Sequence, residues 1–527
     1  MTTRRLLLAA AASLTAHMAV AQSAVAQTLT IGIGDAVTSI DPHYLNSPTN
    51  QNVICNIYDA LTDADSGYGV IPSLAESWKR LDDLTWEFKI RPGVRFHDGS
   101  RLTANDAMAA ITRVPKVPNA PQPFTTYIRM INGMTVVDDH TLRITTSALD
   151  PILPNELVQI RIMPASAAAM TTEDFNTGKA AIGTGPMRFV SYQPGVGVEL
   201  VRNDLYWGKR ADWEKVSFRI ISEGAARVAA LLAGDMQMID LVPSDALEEL
   251  RKNGKLRVVS AEVGLRYIFL ALDQSRDGPS PFVFGPNGEV LEKNPLKDVR
   301  VRKALSIAIN RPAIVERVME GVATATGQMM PDGGVGNAPD IKVPQFDPEQ
   351  AKKLLAEAGY PNGLRVTIHS TNGRYVNDTR IVQAVAQMWQ RIGVQATIEL
   401  QPWSSYATRV TKQQYSVMIG AVAAVTSESS QVLRSAMGTY DLPKGWGGFN
   451  WGRYSNPQLD ELVIEASATG DDNKRNELLR LAMRIGVADV ANIPLHFQRT
   501  TWAMQRNLTY TGRSDDQTRI LDIRRVQ

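Results

Sequence analysis

The sequence predicts an α/β fold divided into two or three domains. Strand-type alternation of apolar and polar residues recurs beside helical runs that open on caps and close on glycine, and neither kind predominates. About 500 residues beyond an N-terminal leader are enough to bury more than one core. No internal repeat, coiled-coil heptad or low-complexity stretch points to a solenoid or a fibre.

The leader comes first. Arg4 and Arg5 precede an apolar stretch from Leu6 to Val20, interrupted by Ser13, Thr15 and His17, and two small-x-small sites follow at Ala19-Val20-Ala21 and Ala24-Val25-Ala26. Residues 1–26 therefore read as a secretory signal peptide. The stretch falls short of the roughly 20 apolar residues that span a bilayer, and no later segment reaches that length. A soluble periplasmic protein is expected. The single cysteine, Cys55, is remote from both sites, so no lipoprotein attachment is expected, and an intramolecular disulfide is excluded. The 56 Lys and Arg residues lose Arg4 and Arg5 with the leader, leaving 54 against 54 Asp and Glu. That balance offers no general attraction for nucleic acid or anionic lipid.

Thr28 to Gly34 alternates Leu29, Ile31 and Ile33 with small or polar residues, as a strand with one buried face does. Ser39-Ile40-Asp41-Pro42 turns the chain into a helical run through Ile54, Ile57 and Leu61. Trp86, Phe88 and Ile90 alternate with Glu87, Lys89 and Arg91 until Pro92-Gly93 ends that strand. A second short strand is expected from Val94 to Phe96. Thr103, with Asp106 three residues on, caps a helix carrying Ala107, Met108 and Ile111. Gly183-Thr184-Gly185-Pro186 is a glycine turn feeding a strand at Phe189. From Ala225 a helix is expected to bury Ala225, Val228, Ala229 and Leu232 and to end on Gly234, ahead of a strand from Met238 to Val242. Asp277 to Lys293, rich in Gly, Pro and Ser, reads as loop. Asp347-Pro348-Glu349-Gln350 combines a cap with proline at the first helical position, and Gly359 stops the helix. Tyr454-Ser455-Asn456-Pro457 opens another.

Several of these strings are more specific than the elements they encode. Leu74-Ala75-Glu76-Ser77-Trp78, Trp86 to Gly99 and Leu102-Thr103-Ala104-Asn105-Asp106 resemble the signature of family 5 extracellular solute-binding proteins, the dipeptide and oligopeptide receptors of bacterial ABC importers. The Gly183 turn, Arg202-Asn203-Asp204 with Tyr206-Trp207-Gly208, Pro295 to Leu305 and Tyr454 to Asp460 extend the resemblance over essentially the whole mature chain. It implies a two-lobed periplasmic binding-protein fold of type II, in the large peptide-binding class, with an extra subdomain inserted in lobe I. On that template lobe I comprises residues 27–70 and 185–272 around an inserted subdomain at 71–184, lobe II spans 273–493, and residues 494–527 return to lobe I. The crossings between lobes then fall near Leu270 to Asp273 and near Pro494 to Phe497. The implied function is a receptor, a monomer without cofactor, that binds a peptide or peptide-like small molecule and delivers it to inner-membrane ABC permease subunits.

Enzyme motifs are weak beside this. Gly32-Ile33-Gly34 lacks the third glycine of a dinucleotide fingerprint, and Gly183 to Pro186 lacks the Gly-Lys-Ser/Thr ending of a phosphate loop. His43, His97, His140, His369 and His496 are scattered singly, without the paired spacing or cysteine partner of a metal site. No nucleophile elbow or paired carboxylates mark a catalytic centre, so no catalytic residue and no metal are expected.

A peptide receptor pins charged termini with opposite charges and treats the ligand as an added strand. Arg380 opens the helix Ile381 to Ile392 at the spacing from Gly393-Val394 where dipeptide receptors of the family carry the arginine for the ligand carboxylate. Its guanidinium fork suits that role, and a solvent-facing helix-start arginine is the equal alternative. Arg374, in the loop Asn372-Gly373-Arg374-Tyr375, is a second candidate. Trp403 follows the strand Gln395 to Leu400 where family members place a cleft aromatic, and it reads equally as a lobe-core tryptophan. Trp446 stands in a glycine-rich loop from which it either reaches the cleft or buttresses it. Many such receptors carry a Gly-Trp stretch with an aspartate for the ligand amino group, but here Gly420 to Ser429 contains neither Trp nor Asp. Glu428 is the candidate replacement, against its reading as a solvated loop glutamate. A non-peptide cargo, such as an opine-like conjugate, glutathione or a nickel chelate, is the alternative that this departure leaves open.

Overall fold

A computed structural model describes residues 27–34, 37–121 and 124–526; the expected signal peptide, residues 1–26, lies outside the described residues. The chain opens with β1 (Thr28–Ile33) and α1 (Pro48–Ile57). A four-stranded unit follows: β2 (Ala75–Arg80), β3 (Thr85–Ile90), β4 (Ile131–Asp138) and β5 (Thr141–Thr146), with α2 (Ala104–Arg113) between β3 and β4. Then come β6 (Met187–Gln193), β7 (Gly197–Arg202), β8 (Lys215–Ile220), α3 (Gly224–Ala233), β9 (Met238–Ile239) and β10 (Leu256–Ser260). The second half holds β11 (Arg266–Leu272), β12 (Val283–Phe284), β13 (Ala323–Ala325), β14 (Leu364–Thr371), α4 (Asp378–Gln390), β15 (Val394–Gln401), α5 (Trp403–Thr411) and β16 (Val417–Ala423). It ends with α6 (Ser429–Ala436), α7 (Asp472–Ala488), β17 (Ile493–Gln498) and β18 (Thr501–Gln505).

Among the described residues two seven-stranded sheets carry the two lobes. The first runs β10-β18-β9-β1-β8-β7-β6, with β8 and β9 both parallel to β1. The second runs β12-β14-β16-β11-β17-β13, with β15 beside β14, and β14 is parallel to both β15 and β16. Leu29, Ile31 and Ile33 are fully buried, as their alternation predicts. They share a core with Phe88, Ile90, Leu142 and Ile144 of the four-stranded unit β2-β3-β5-β4, which is thereby fused to lobe I. A separate core belongs to lobe II.

The chain passes from one sheet to the other twice. Since β10 lies in the first sheet and β11 in the second, the first crossing is residues 261–265; β17 and β18 place the other at residues 499–500. The second sheet thus draws on residues 266 to 498. The apolar run Tyr267 to Leu272 is buried in the middle of the second sheet, so its polar end at Asp273 marks where a strand stops and not where the chain changes lobe.

Three local expectations are also corrected. Val94 to Phe96 forms no strand, only a bridge between Arg95 and Arg101, because no neighbouring strand pairs with it. The expected loop from Asp277 to Lys293 contains β12, paired to β14. In α3 the buried face is Arg227, Val228 and Leu231, and Leu232 is exposed. The helix is rotated because Arg227 turns inward to backbone carbonyls. The caps at Thr103, Gly234, Asp347 and Asn456 form as their residue types require, with Gly234 at φ 88.

Two buried polar arrangements join the insert to lobe I. Arg113, at the end of α2, donates to both oxygens of Asp41 at 2.7 Å. Asp41 also accepts from the Thr172 hydroxyl at 2.8 Å and the His43 N–H at 3.0 Å. Burial raises the Asp41 carboxyl, but the Arg113 hydrogen bonds and charge more than offset it and hold it below the usual range. In the second, the Gly183 turn packs backbone to backbone against α1. Gly185 N–H donates to the Ile57 carbonyl at 2.9 Å, and a Cβ on Gly183 would lie 2.0 Å from that oxygen. Gly183→Ala is expected to cost roughly 1–3 kcal/mol of stability. A lower denaturant midpoint at unchanged slope is the expected reading; an unchanged midpoint would show that the turn yields freely.

Candidate functional site

In open α/β sheets, the crevice beyond the carboxyl ends of parallel strands is where loops, helix starts and free polar groups converge. Here both sheets turn those ends toward each other. From lobe I, Gly34 follows β1, Ser222 follows β8, and Asp240 and Leu241 follow β9; from lobe II, Gly373 to Val376 follow β14. Between them lie Arg266, at the start of β11, where the first crossing ends, and Gln498, at the end of β17, where the second begins. These residues, with Asn52, Arg227 and Asp516, enclose a cavity of about 200 Å³.

The lobe I wall is braced. Arg227 donates to the carbonyls of Ile221 at 2.6 Å, Ser222 at 3.1 Å and Leu241 at 2.8 Å, tying the ends of β8 and β9 together. Asp240 accepts from Gly34 N–H at 2.8 Å and from Asn52 Nδ2 at 3.3 Å. Arg266 meets Asp516 at 3.2 Å, and Asp516 also accepts from the Thr500 hydroxyl at 2.6 Å. Burial pushes the Asp516 carboxyl up, partly countered by Arg266 and Thr500.

The lobe II wall is a fixed loop. Gly373 sits at φ 81, and the Asp378 carboxylate at the start of α4 gathers the N–H groups of Gly373, Arg374 and Tyr375 at 3.1, 3.0 and 3.3 Å, and the Thr371 hydroxyl at 2.7 Å. That grip presents Arg374, whose guanidinium lies 4.8 Å from the ring centroid of Trp403 at the start of α5. Tyr375 is buried, which pushes its hydroxyl up to about 12 against the opposing pull of Arg374 and Arg266. Direct hydrogen bonds also join the two halves of the molecule. Asn377 Nδ2 donates to the Ser244 hydroxyl at 2.6 Å, Asn155 Nδ2 donates to the Thr426 carbonyl at 2.8 Å, and the Ser427 hydroxyl donates to the Tyr68 carbonyl.

Of the five residues singled out in the sequence, the structure brings Arg374 and Trp403 together and places Arg374 at the cavity. Arg380 is on α4, 46% exposed and 3.9 Å from Glu320, and is not part of the cavity wall. Glu428 is buried in an ion pair with Arg475 of α7 at 2.8 Å, so it is no solvated loop glutamate. Trp446 is half-buried against the lobe II core, with its ring over Gly438. Arg266, Arg227, Asp240 and Asp516 were not singled out. Strand ends at Gly34 and beyond Met238 are readable and would have pointed to Asp240; nothing local marks Arg266 or Asp516. Among the described residues no His, Cys, Asp or Glu cluster could hold a metal ion, and no helix is long and apolar enough to cross a membrane.

The comparisons with known proteins agree with this architecture. The family described as bacterial extracellular solute-binding proteins, family 5 Middle, matches residues 69–442. The glutathione-binding protein GsiB of Pectobacterium atrosepticum is 28% identical over 511 residues, covering 95% of this chain and 94% of its own. Among solved structures, the periplasmic binding protein DppA of Helicobacter pylori in complex with peptide STSA superposes with a TM-score of 0.77 at 23% identity, over 95% of this chain and 98% of its own. MoaA of A. tumefacien R10 in complex with mannopinic acid gives 0.76 at 25% identity, over 95% and 100%.

Proposed function

Because the chain belongs to the bacterial extracellular solute-binding proteins of family 5, we propose that it is the periplasmic receptor of an ABC importer, holding a peptide or peptide-like solute between its lobes. The observation that carries this reading is Arg374. It faces the interlobe cavity, rests on Trp403, and has no carboxylate partner among the described residues. A guanidinium held by cation–π contact and a fixed loop is pre-organised for a bidentate carboxylate. A solute touching both walls binds the closed form preferentially and shifts the population toward it. Permease subunits at the inner membrane would read that closed shape. In this reading the protein is a soluble monomer, not a lipoprotein, and binds without turnover.

A second reading concerns the cargo. Glu428 is already engaged by Arg475, and the segment after β16 offers no other carboxylate at Ala424 to Ser427. That favours a solute without a free α-amino group, and the glutathione and mannopinic acid named for the relatives extend the candidates beyond simple peptides.

Mass spectrometry of small molecules released by denaturing the purified protein identifies the cargo. Arg374→Ala is then expected to weaken its binding by roughly 1.5–3 kcal/mol, the scale of a hydrogen bond to a charged group. Calorimetric titration with the recovered solute reads the loss. Unchanged affinity would remove Arg374 from the site, and conversion of the solute to a new mass would replace the receptor reading with an enzyme.

A further inference from the structure

The positive charge of the cleft wall is unevenly committed. Its ionisable wall sets three arginines, Arg227, Arg266 and Arg374, against two aspartates, Asp240 and Asp516, a surplus of one positive charge in a chain otherwise balanced. Arg227 is committed to three backbone carbonyls. Arg266 is not. Among the described residues its guanidinium makes one hydrogen bond, to Asp516, although it has five N–H donors. Its side chain remains 24% exposed, and its backbone is fixed between Ala423 of β16 and Gln498 of β17. Asp516 keeps the Thr500 hydroxyl, so it is not stripped of partners when Arg266 turns toward a ligand. Arg266, Arg374 and Tyr375 line the same cavity.

We propose that Arg266 is a second anion-reading residue, and that the cleft selects compact solutes of net negative charge, carrying an anionic group beyond the carboxylate held by Arg374. This deepens the receptor reading and rests on it. If the Arg266–Asp516 pair only braced the crossing, the charge of the solute would be immaterial to binding.

Matched probes differing by one charge test the idea on the full mature protein stripped of bound solute: Ala-Glu against Ala-Gln, and their N-acetyl forms, titrated calorimetrically. The acidic member of a pair is expected to bind about tenfold tighter, the yield of one further charge-assisted hydrogen bond. Arg266→Gln is expected to erase that preference, and Arg266→Lys to keep part of it. Equal affinities of acidic and neutral members in the unaltered protein would overturn the proposal and leave the receptor reading standing. Binding of neither member of any pair would overturn the peptide-receptor reading and this proposal with it. The comparison in the unaltered protein does not depend on a variant folding, and a melting curve for each variant separates lost structure from lost selectivity.

Discussion

Acidification from pH 7 to pH 4 is expected to remove most of the stability of this protein, through three histidines held neutral. The Arg113 Nη1 donates to His43 Nδ1 at 3.2 Å, since arginine can only donate, so His43 Nε2 carries the proton and donates to the Arg161 carbonyl at 2.9 Å. Both ring nitrogens are satisfied in the neutral form, and a second proton would face a guanidinium. His97 repeats the arrangement in the glycine turn: Gly183 N–H donates to its Nδ1 at 3.2 Å, and its Nε2 donates to the Gly185 carbonyl at 3.0 Å. His496 is buried with no hydrogen-bond partner at either nitrogen among the described residues. Burial, aided at His43 by Arg113, pulls His43 and His97 down to about 4 and His496 to about 3 from 6.5.

The unfolded chain binds protons at these rings from about pH 6.5 downward while the folded chain refuses them, so stability falls as pH falls. The loss approaches roughly 3 kcal/mol per histidine by pH 4, where two of the three folded pKa values lie. Together that rivals the whole stability of a typical domain. Scanning calorimetry between pH 7 and pH 4 should show a melting temperature that drops steadily below pH 6.5, and His97→Gln, which offers an acceptor and a donor, should flatten the drop. A constant melting temperature down to pH 4.5 would refute the neutral-histidine account.

The second large effect concerns the Asp41–Arg113 pair. Arg113→Ala is expected to destabilise by roughly 3–5 kcal/mol, since it strands a buried carboxylate and also removes the donor that fixes the His43 tautomer. The guanidinium additionally lies 4.5 Å from the centre of the Phe175 ring. The double variant Arg113→Met with Asp41→Leu should recover much of the loss, because paired charges exchanged for apolar groups leave nothing unsatisfied. Urea unfolding of the three proteins decides it. A double variant no better than Arg113→Ala would mean that shape, not charge, governs the junction between insert and lobe I.

What could be read in advance follows physical range. Leu29, Ile31 and Ile33 announced a strand by period alone, and the caps and the Gly183 turn announced themselves by residue type, because neighbours in sequence decide those features. Val94 to Phe96 failed because a strand needs a partner, and the pattern of α3 failed because one guanidinium turned the helix. The crossings were not legible, because an apolar strand looks the same at a hinge and in the centre of a sheet. Arg374 was legible as a loop residue after a strand, and Trp403, which its guanidinium faces, as the residue that opens a helix after the next one. Arg266 and Asp516 were not, since they lie 250 positions apart and only the second crossing brings them together.

That returning strand also governs the order in which the molecule can be finished. β18 lies between β10 and β9, so the sheet that starts at Thr28 stays split until residue 505 is available. The second sheet, drawn entirely from residues 266 to 498, needs nothing beyond itself. On the ribosome the lobe synthesised first is therefore completed last, with the edges of β9 and β10 unpaired while lobe II is already competent to fold. A premature stop before Thr501 would therefore dismantle the lobe at the opposite end of the gene.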